Sequence, residues 1–268
     1  MTLPQGQPLS MTGMATKMIH HDGVTIPTTR GGRGRPLVLC PGLNSTQADL
    51  HELTALLRHD YDVTTFDLRG HGLASASDRY SFDAFLSDLV AVLADLDLPT
   101  APLLVGYSLG ADLAVHYASE RPDAIAGLVL IDGANPLPEP FITETDQAEF
   151  RALADELAQA AEQNKGTAHQ VLLTAQHIHA LNREIDVVRS AILDRYRKID
   201  HPITMIMSTS IAGTEGRAPR HNRLWRTGVE RLVRERPHTS TTWLDADHRL
   251  VFTHAPHIAE TIRKLPGC

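Results

Sequence analysis

The sequence predicts the α/β fold class: a mostly parallel, eight-stranded sheet flanked by helices, with a helical lid inserted in its second half. Short runs rich in Val, Ile and Leu alternate with longer helical patterns from about residue 36, as parallel strands with crossover helices do. The length of 268 residues suits one large domain with a modest insertion. Apolar residues make up 42% of the chain and charged residues 21%, which is typical of a globular domain.

Apolar periodicity and turn residues bound the individual elements. Asp22 and Gly23 favour a tight hairpin turn between strands at 16–21 and 24–30. The further strands are predicted, in order, at 37–40, 61–67, 102–106, 126–131, 203–207 and 239–244. The helices are predicted at 49–59, 81–96, 109–119, 147–163, 167–181, 184–197, 222–235 and 254–265.

The lid is predicted because the strand signal disappears between residues 136 and 201. Pro136, Pro138 and Pro140 cannot continue a helix or a central strand, and only helical patterns follow them. We therefore divide the chain into a flexible leader, a core and a lid. Their boundaries are 1–17 for the leader, 18–135 and 201–268 for the α/β core, and 136–200 for the helical lid.

Residues 106–110, with the sequence Gly-Tyr-Ser-Leu-Gly, carry the clearest chemical signal. The G-x-S-x-G pattern lies between a predicted strand and a predicted helix, where a strained turn exposes the serine hydroxyl as a nucleophile. Ser108 is therefore the predicted nucleophile. Leu109 begins the following helix, and its N–H can donate to an oxyanion. The loop after strand 37–40 is expected to supply the second donor, the N–H of Leu43.

The chain resembles the α/β-hydrolase fold family from about residue 18 to its end. Four stretches carry the resemblance: 37–42 (LVLCPG), 66–72 (FDLRGHG), 106–110 (GYSLG) and 247–248 (DH) before a final helix. In this fold the catalytic residues follow the chain order serine, acid, histidine, and the histidine lies after the last strand. The resemblance therefore implies that His248 is the base. It also implies that the loop of His71 is largely structural.

The catalytic acid has two candidates. The family most often places the acid just after the strand here predicted at 203–207, but residues 208–213 contain no carboxylate. Asp132 ends the strand that follows the nucleophile helix. In this respect the chain resembles certain haloalkane dehalogenases and zearalenone-lactone hydrolases, whose acid lies at that position. Glu215, a few residues past the usual place, stays open as the alternative acid.

Together these residues predict a serine hydrolase that forms an acyl-enzyme on Ser108. An aspartate nucleophile would indicate an epoxide hydrolase or a dehalogenase, and the serine disfavours both reactions. The apolar lid favours a carboxylic ester or lactone of a medium-sized, largely apolar small molecule. Thioesterase, carbon–carbon bond hydrolase and acyltransferase reactions stay open, as does a non-catalytic member of the fold that binds a small ligand.

Composition excludes several other classes of function. The formal net charge of −7 opposes nucleic-acid binding, and no recognised ligand spacing predicts a metal or another cofactor. No apolar run approaches the roughly 20 residues of a membrane span. The two cysteines, Cys40 and Cys268, are placed poorly for a structural disulfide, so a cytoplasmic location is expected. A homodimer is left open.

Overall fold

The computed structural model describes residues 14–265, and its centre is a sheet of eight strands. The strands are β1 (Ala15–His21), β2 (Val24–Gly32), β3 (Arg35–Cys40), β4 (Tyr61–Phe66), β5 (Leu103–Tyr107), β6 (Gly127–Ile131), β7 (Ile203–Ser208) and β8 (Ser240–Leu244). Their order across the sheet is β1-β2-β4-β3-β5-β6-β7-β8. Strand β2 is antiparallel to both its neighbours, and the pairs from β4 to β8 are parallel. The predicted fold class is confirmed.

The strand sequences explain this arrangement. Strands β5 and β6 are buried along their whole length, which is why they consist almost entirely of apolar residues. The β1–β2 hairpin turns at Asp22 and Gly23, whose φ angles of 50° and 74° match the two central residues of a type I′ turn. Because β4 to β8 run in parallel, the segments that follow these strands meet at one edge of the sheet.

Eight α-helices surround the sheet within residues 14–265. They are α1 (His51–Leu57), α2 (Phe82–Asp95), α3 (Leu109–Glu120), α4 (Gln147–Glu162), α5 (Ala175–Tyr196), α6 (Ala218–Glu235), α7 (Leu250–Thr253) and α8 (Ala255–Arg263). Apolar side chains of α1, α7 and α8 bury one face of the sheet. Those of α2, α3, α5 and α6 bury the other face.

The predicted lid contains two long helices, α4 and α5, where three helical stretches were expected. The predicted helix at 167–181 is wrong in its first half, because the N–H of Gly72 donates to the carbonyl of Gln170 and the N–H of Leu172 donates to that of Gly70. Helix α5 begins after Thr174, whose hydroxyl accepts from the N–H of His177. No Gly or Pro interrupts the chain between 181 and 184, so α5 continues to Tyr196.

The ends of other elements also differ from the prediction. Strand β1 begins at Ala15, so residues 15–17 of the predicted leader pair with β2. Residues 1–13 of the leader and Cys268 lie outside the described residues. Helix α6 starts at Ala218 rather than at 222, because Pro219 is favourable in a first helical turn. Between residues 14 and 265, no helix combines the length and the apolar character needed to cross a membrane.

Candidate active site

The nucleophile elbow lies between β5 and α3. Ser108 has φ 51° and ψ −119°, a strained conformation for a residue other than glycine. Its N–H donates to the carbonyl of Ile131 at 2.9 Å, which holds the turn against β6. A Cβ atom at Gly110 would lie 2.3 Å from the carbonyl oxygen of Cys40, so a side chain there would push α3 away from the sheet. The required strand–turn–helix context of the motif is therefore present.

The structure brings Ser108, His248 and Asp132 together. The hydroxyl of Ser108 lies 2.9 Å from Nε2 of His248, and Nδ1 of the same imidazole lies 2.8 Å from Oδ2 of Asp132. The carboxylate accepts from Nδ1–H, so Nε2 is left to accept the serine proton. This is the geometry of a nucleophile, a base and an orienting acid.

The Asp132 carboxylate is fully buried and accepts four hydrogen bonds. Oδ1 accepts from the N–H of Ser208 at 2.9 Å and from Nε1–H of Trp225 at 2.8 Å. Oδ2 accepts from the hydroxyl of Ser208 and from His248, both at 2.8 Å. These donors stabilise the ionised carboxylate in a site that water does not reach.

The alternative acid occupies a different environment. Glu215 is exposed in the loop before α6, and no hydrogen bond joins it to His248. The end of β7, where the family most often carries its acid, is occupied by Ser208. The hydroxyl and the N–H of Ser208 both donate to Asp132. The geometry therefore favours Asp132 over Glu215.

The two predicted oxyanion donors lie beside the nucleophile. Leu109 directly follows Ser108 and begins α3, and Leu43 lines the same cavity as Ser108. A Cβ atom at Gly42 would lie 3.0 Å from Cβ of Ser108, so the loop that carries Leu43 passes close to the elbow. Within the described chain, the N–H groups of Leu43 and Leu109 make no hydrogen bond, which leaves both able to donate to a ligand.

His71 supports the loop that carries Leu43 through hydrogen bonds of both its ring nitrogens. Its Nδ1–H donates to the carbonyl of Arg69 at 2.9 Å, and its Nε2 accepts from the N–H of Asn44 at 3.2 Å. Burial lowers the pKa of His71 to about 4, so the ring is neutral near pH 7. Asn44 has φ 60°, a conformation that needs such support. The structural role predicted for this loop agrees with these contacts.

Three residues of the site were missed by sequence reasoning. The hydroxyl of Tyr107 donates to the carbonyl of His248 at 2.8 Å and so holds the backbone of the predicted base. Burial raises the pKa of this phenol, which therefore stays a donor. Ser208 and Trp225 hold Asp132. Of these three residues, only Ser208 could have been identified from the sequence, because it is a polar residue that directly follows the predicted strand at 203–207.

A family model described as the alpha/beta hydrolase fold matches residues 35–246. The match covers β3 to β8, the elbow and the end of β6 that carries Asp132. The chain belongs to the α/β-hydrolase fold family. The resemblance predicted from four sequence motifs is thus confirmed.

Individual relatives of this α/β hydrolase match over shorter stretches. N-formylmaleamate deformylase from Pseudomonas putida is 36% identical over 104 residues, which are 38% of this chain and 38% of the relative. An sn-1-specific diacylglycerol lipase from Danio rerio is 31% identical over 103 residues, 38% of this chain and 32% of the lipase. The aligned segments therefore span well under half of either relative.

The fold is also similar to solved structures along most of its length. The crystal structure of an enol-lactonase from Burkholderia xenovorans superposes with a TM-score of 0.69 at 20% identity. The superposition covers 92% of this α/β hydrolase and 98% of the lactonase. At this identity the similarity supports the fold alone.

A cavity of about 610 Å³ opens beside Ser108 and His248. Its walls come from the loops after β3, β7 and β8, from the inserted segment between β6 and β7, and from α6. The apolar side chains in the walls are Leu43, Phe141, Ile142, Phe150, Ala152, Leu153, Ile185, Ile211, Ala212 and Trp225. Charged side chains also line it, and of these Arg189, Asp186 and Glu149 are paired or hydrogen-bonded within the protein. The others are Glu156, Asp247 and Arg249. The cavity has the size of a small-molecule site.

Proposed function

We propose that this α/β hydrolase is a serine hydrolase that cleaves a carboxylic ester or lactone of a medium-sized, largely apolar small molecule. The observation that carries the proposal is the hydrogen-bonded chain from Ser108 through His248 to Asp132 beside a largely apolar cavity. The relatives named as a deformylase and a diacylglycerol lipase support attack on an acyl carbon. A cytoplasmic location remains a prediction from the cysteines.

In the proposed reaction, the Ser108 hydroxyl attacks the carbonyl carbon while Nε2 of His248 takes its proton. The tetrahedral oxyanion accepts hydrogen bonds from the N–H groups of Leu43 and Leu109. When the intermediate collapses, the carbon–oxygen bond to the leaving group breaks and the imidazolium protonates the departing alkoxide. A water molecule, deprotonated by His248, then attacks the acyl-enzyme, and Ser108 recovers its proton as the acid product leaves.

Fluorophosphonate labelling tests the nucleophile, and kcat for ester hydrolysis tests the acid. We expect the wild type to be labelled and Ser108→Ala to lose labelling, because the probe phosphonylates an activated serine. Asp132→Asn is expected to lower kcat for ester hydrolysis by a factor of about 10⁴, since an amide no longer selects the required imidazole tautomer. Glu215→Gln is the matched control and should retain wild-type kcat.

Either of two results would contradict this assignment. An unlabelled wild type would remove the hydrolase proposal and favour the alternative of a non-catalytic protein that binds a small ligand. A large loss of kcat in Glu215→Gln, with Asp132→Asn unaffected, would move the acid to the loop before α6.

A panel of p-nitrophenyl and aryl esters of increasing acyl length, with matched lactones and thioesters, tests the substrate class. We expect kcat/KM to rise from acetyl to medium-length or aromatic acyl groups, because these fill more of the apolar cavity. Each methylene that becomes buried contributes about 0.8 kcal/mol, or roughly a fourfold gain. A preference for acetyl esters of highly charged alcohols would contradict the proposed substrate, and a preference for thioesters would favour the thioesterase alternative.

A further inference from the structure

We propose that Trp225 is a positioning residue for the Asp132 carboxylate, and that Arg189 of lid helix α5 holds the Trp225 ring in that position. The proposal rests on the function proposed above, because it assigns Asp132 the role of catalytic acid. Arg189 and Trp225 thereby connect helix α5 to the triad at Asp132.

The first contact is the hydrogen bond from Trp225 to Asp132. Trp225 lies in α6, is 1% exposed, and points Nε1, the single polar atom of its side chain, at Oδ1 of the acid at 2.8 Å. Packing alone would accept any orientation that buries the ring. The observed orientation places the indole N–H on the carboxylate oxygen that does not face His248. It therefore limits rotation of the carboxylate and keeps Oδ2 directed at the imidazole.

The second contact lies between the lid and the indole ring. The guanidinium carbon of Arg189 is 5.2 Å from the centre of the Trp225 ring, within the range of a cation–π interaction. A cation over the ring draws electron density from the indole and makes its N–H a stronger donor. The lid thus acts on the catalytic acid through the tryptophan.

The third contact fixes the guanidinium itself. Nε and Nη2 of Arg189 donate to the carboxylate of Asp112 at 3.0 and 2.7 Å. Asp112 is fully buried, four residues after Ser108, and its N–H donates to the carbonyl of Ser108 at 3.4 Å. Helix α3, helix α5 and the proposed acid are therefore connected by one series of four side chains. The series is Asp112, Arg189, Trp225 and Asp132.

The first experiment compares the two tryptophans of the chain. Trp225→Phe keeps an aromatic ring and removes the N–H donor. We expect kcat for an accepted ester to fall about tenfold to a hundredfold, the range for a hydrogen bond to a charged group, with KM within about twofold. Trp243→Phe is the control, because Trp243 is half-buried on β8, contacts Arg226 and does not line the cavity. Its kcat should match the wild type.

A second comparison separates positioning from general packing. In an Asp132→Ala background there is no carboxylate to hold, so Trp225→Phe is expected to cause no further loss of kcat. Equal fold-losses with and without Asp132 would show that Trp225 only packs the core. Unchanged kcat in Trp225→Phe would also overturn the proposal. An inactive wild type would instead overturn the hydrolase function on which the proposal rests.

Two further measurements keep the test decisive if Trp225→Phe does not fold. Arg189→Lys retains a cation for Asp112 and removes the planar group over the indole, so kcat should fall by a smaller factor. In Trp243→Phe protein, Trp225 is the single remaining tryptophan. Its indole N–H band in ultraviolet resonance Raman spectra should shift when Asp132→Ala removes the acceptor. An unshifted band, or wild-type kcat in Arg189→Lys, would count against the proposal.

Discussion

At the scale of single residues, the site depends on buried polar groups whose hydrogen bonds are satisfied. An isolated carboxylate as deeply buried as Asp132 would lose its hydration, but donors from Ser208, Trp225 and His248 replace it. The sequence favoured Asp132, at the end of a predicted strand, and kept Glu215, several residues past the usual position of the acid, as the alternative. The surroundings of the two residues differ, because the Asp132 carboxylate accepts four hydrogen bonds whereas Glu215 is exposed to solvent.

His71 is expected to make stability sensitive to acid. Burial lowers its pKa from the usual 6.5 to about 4, so between these values the unfolded chain binds a proton that the folded chain does not. Its contribution is therefore fully present above about pH 6.5 and is lost as the pH falls towards 4. The linkage amounts to about 3 kcal/mol of unfolding free energy.

Urea unfolding at pH 7 and pH 4 measures this effect. On going from pH 7 to pH 4, the wild type should lose about 3 kcal/mol more unfolding free energy than His71→Gln does. Burial also lowers the pKa values of His116 and His221, so both proteins lose stability in acid and only the difference isolates His71. His257→Gln, at an exposed position on α8, serves as control. A pH-independent difference for His71→Gln would contradict the assignment.

At the scale of elements, helix α5 of the predicted lid is joined to helix α3, which follows Ser108, by two ion pairs of different kinds. Arg189 and Asp112 form a buried pair, with side chains 13% and 0% exposed. Arg195 and Glu120 form a surface pair between the same helices, with side chains 34% and 44% exposed. Removing one partner of a buried pair leaves an uncompensated charge, whereas water solvates the partner left at a surface.

We therefore expect Arg189→Leu to lower the free energy of unfolding by about 3 to 5 kcal/mol. Arg195→Leu should lower it by less than about 1 kcal/mol. Urea denaturation followed by circular dichroism measures both values. The double variant Arg189→Leu/Asp112→Leu should recover much of the loss, because it removes both charges from the interior. Equal losses in the two single variants would show that the buried pair has no special role.

At the scale of the whole molecule, the sheet could be predicted because its strands are nearly continuous apolar runs between turn residues. The elbow could be predicted because its glycines and its position between strand and helix are local properties. The start of α5 could not, because Gln170 and Leu172 form backbone hydrogen bonds with Gly72 and Gly70 respectively, about a hundred positions earlier. The same limit applies to Trp225, whose hydrogen-bond partner Asp132 lies 93 positions earlier in the chain.

The position of Asp132 directly after β6 also affects how this α/β hydrolase can change. Strand β7 ends at Ser208, which donates to Asp132, and the loop after it is held by a hydrogen bond from Ser210 to the carbonyl of Ala246. The next residues of this loop contribute no group to the proposed proton transfer. Ile211, Ala212 and Gly213 instead line the cavity. Evolution can therefore lengthen or replace this short stretch to admit new substrates without rebuilding the proposed triad, and a protein engineer can begin a mutant library there.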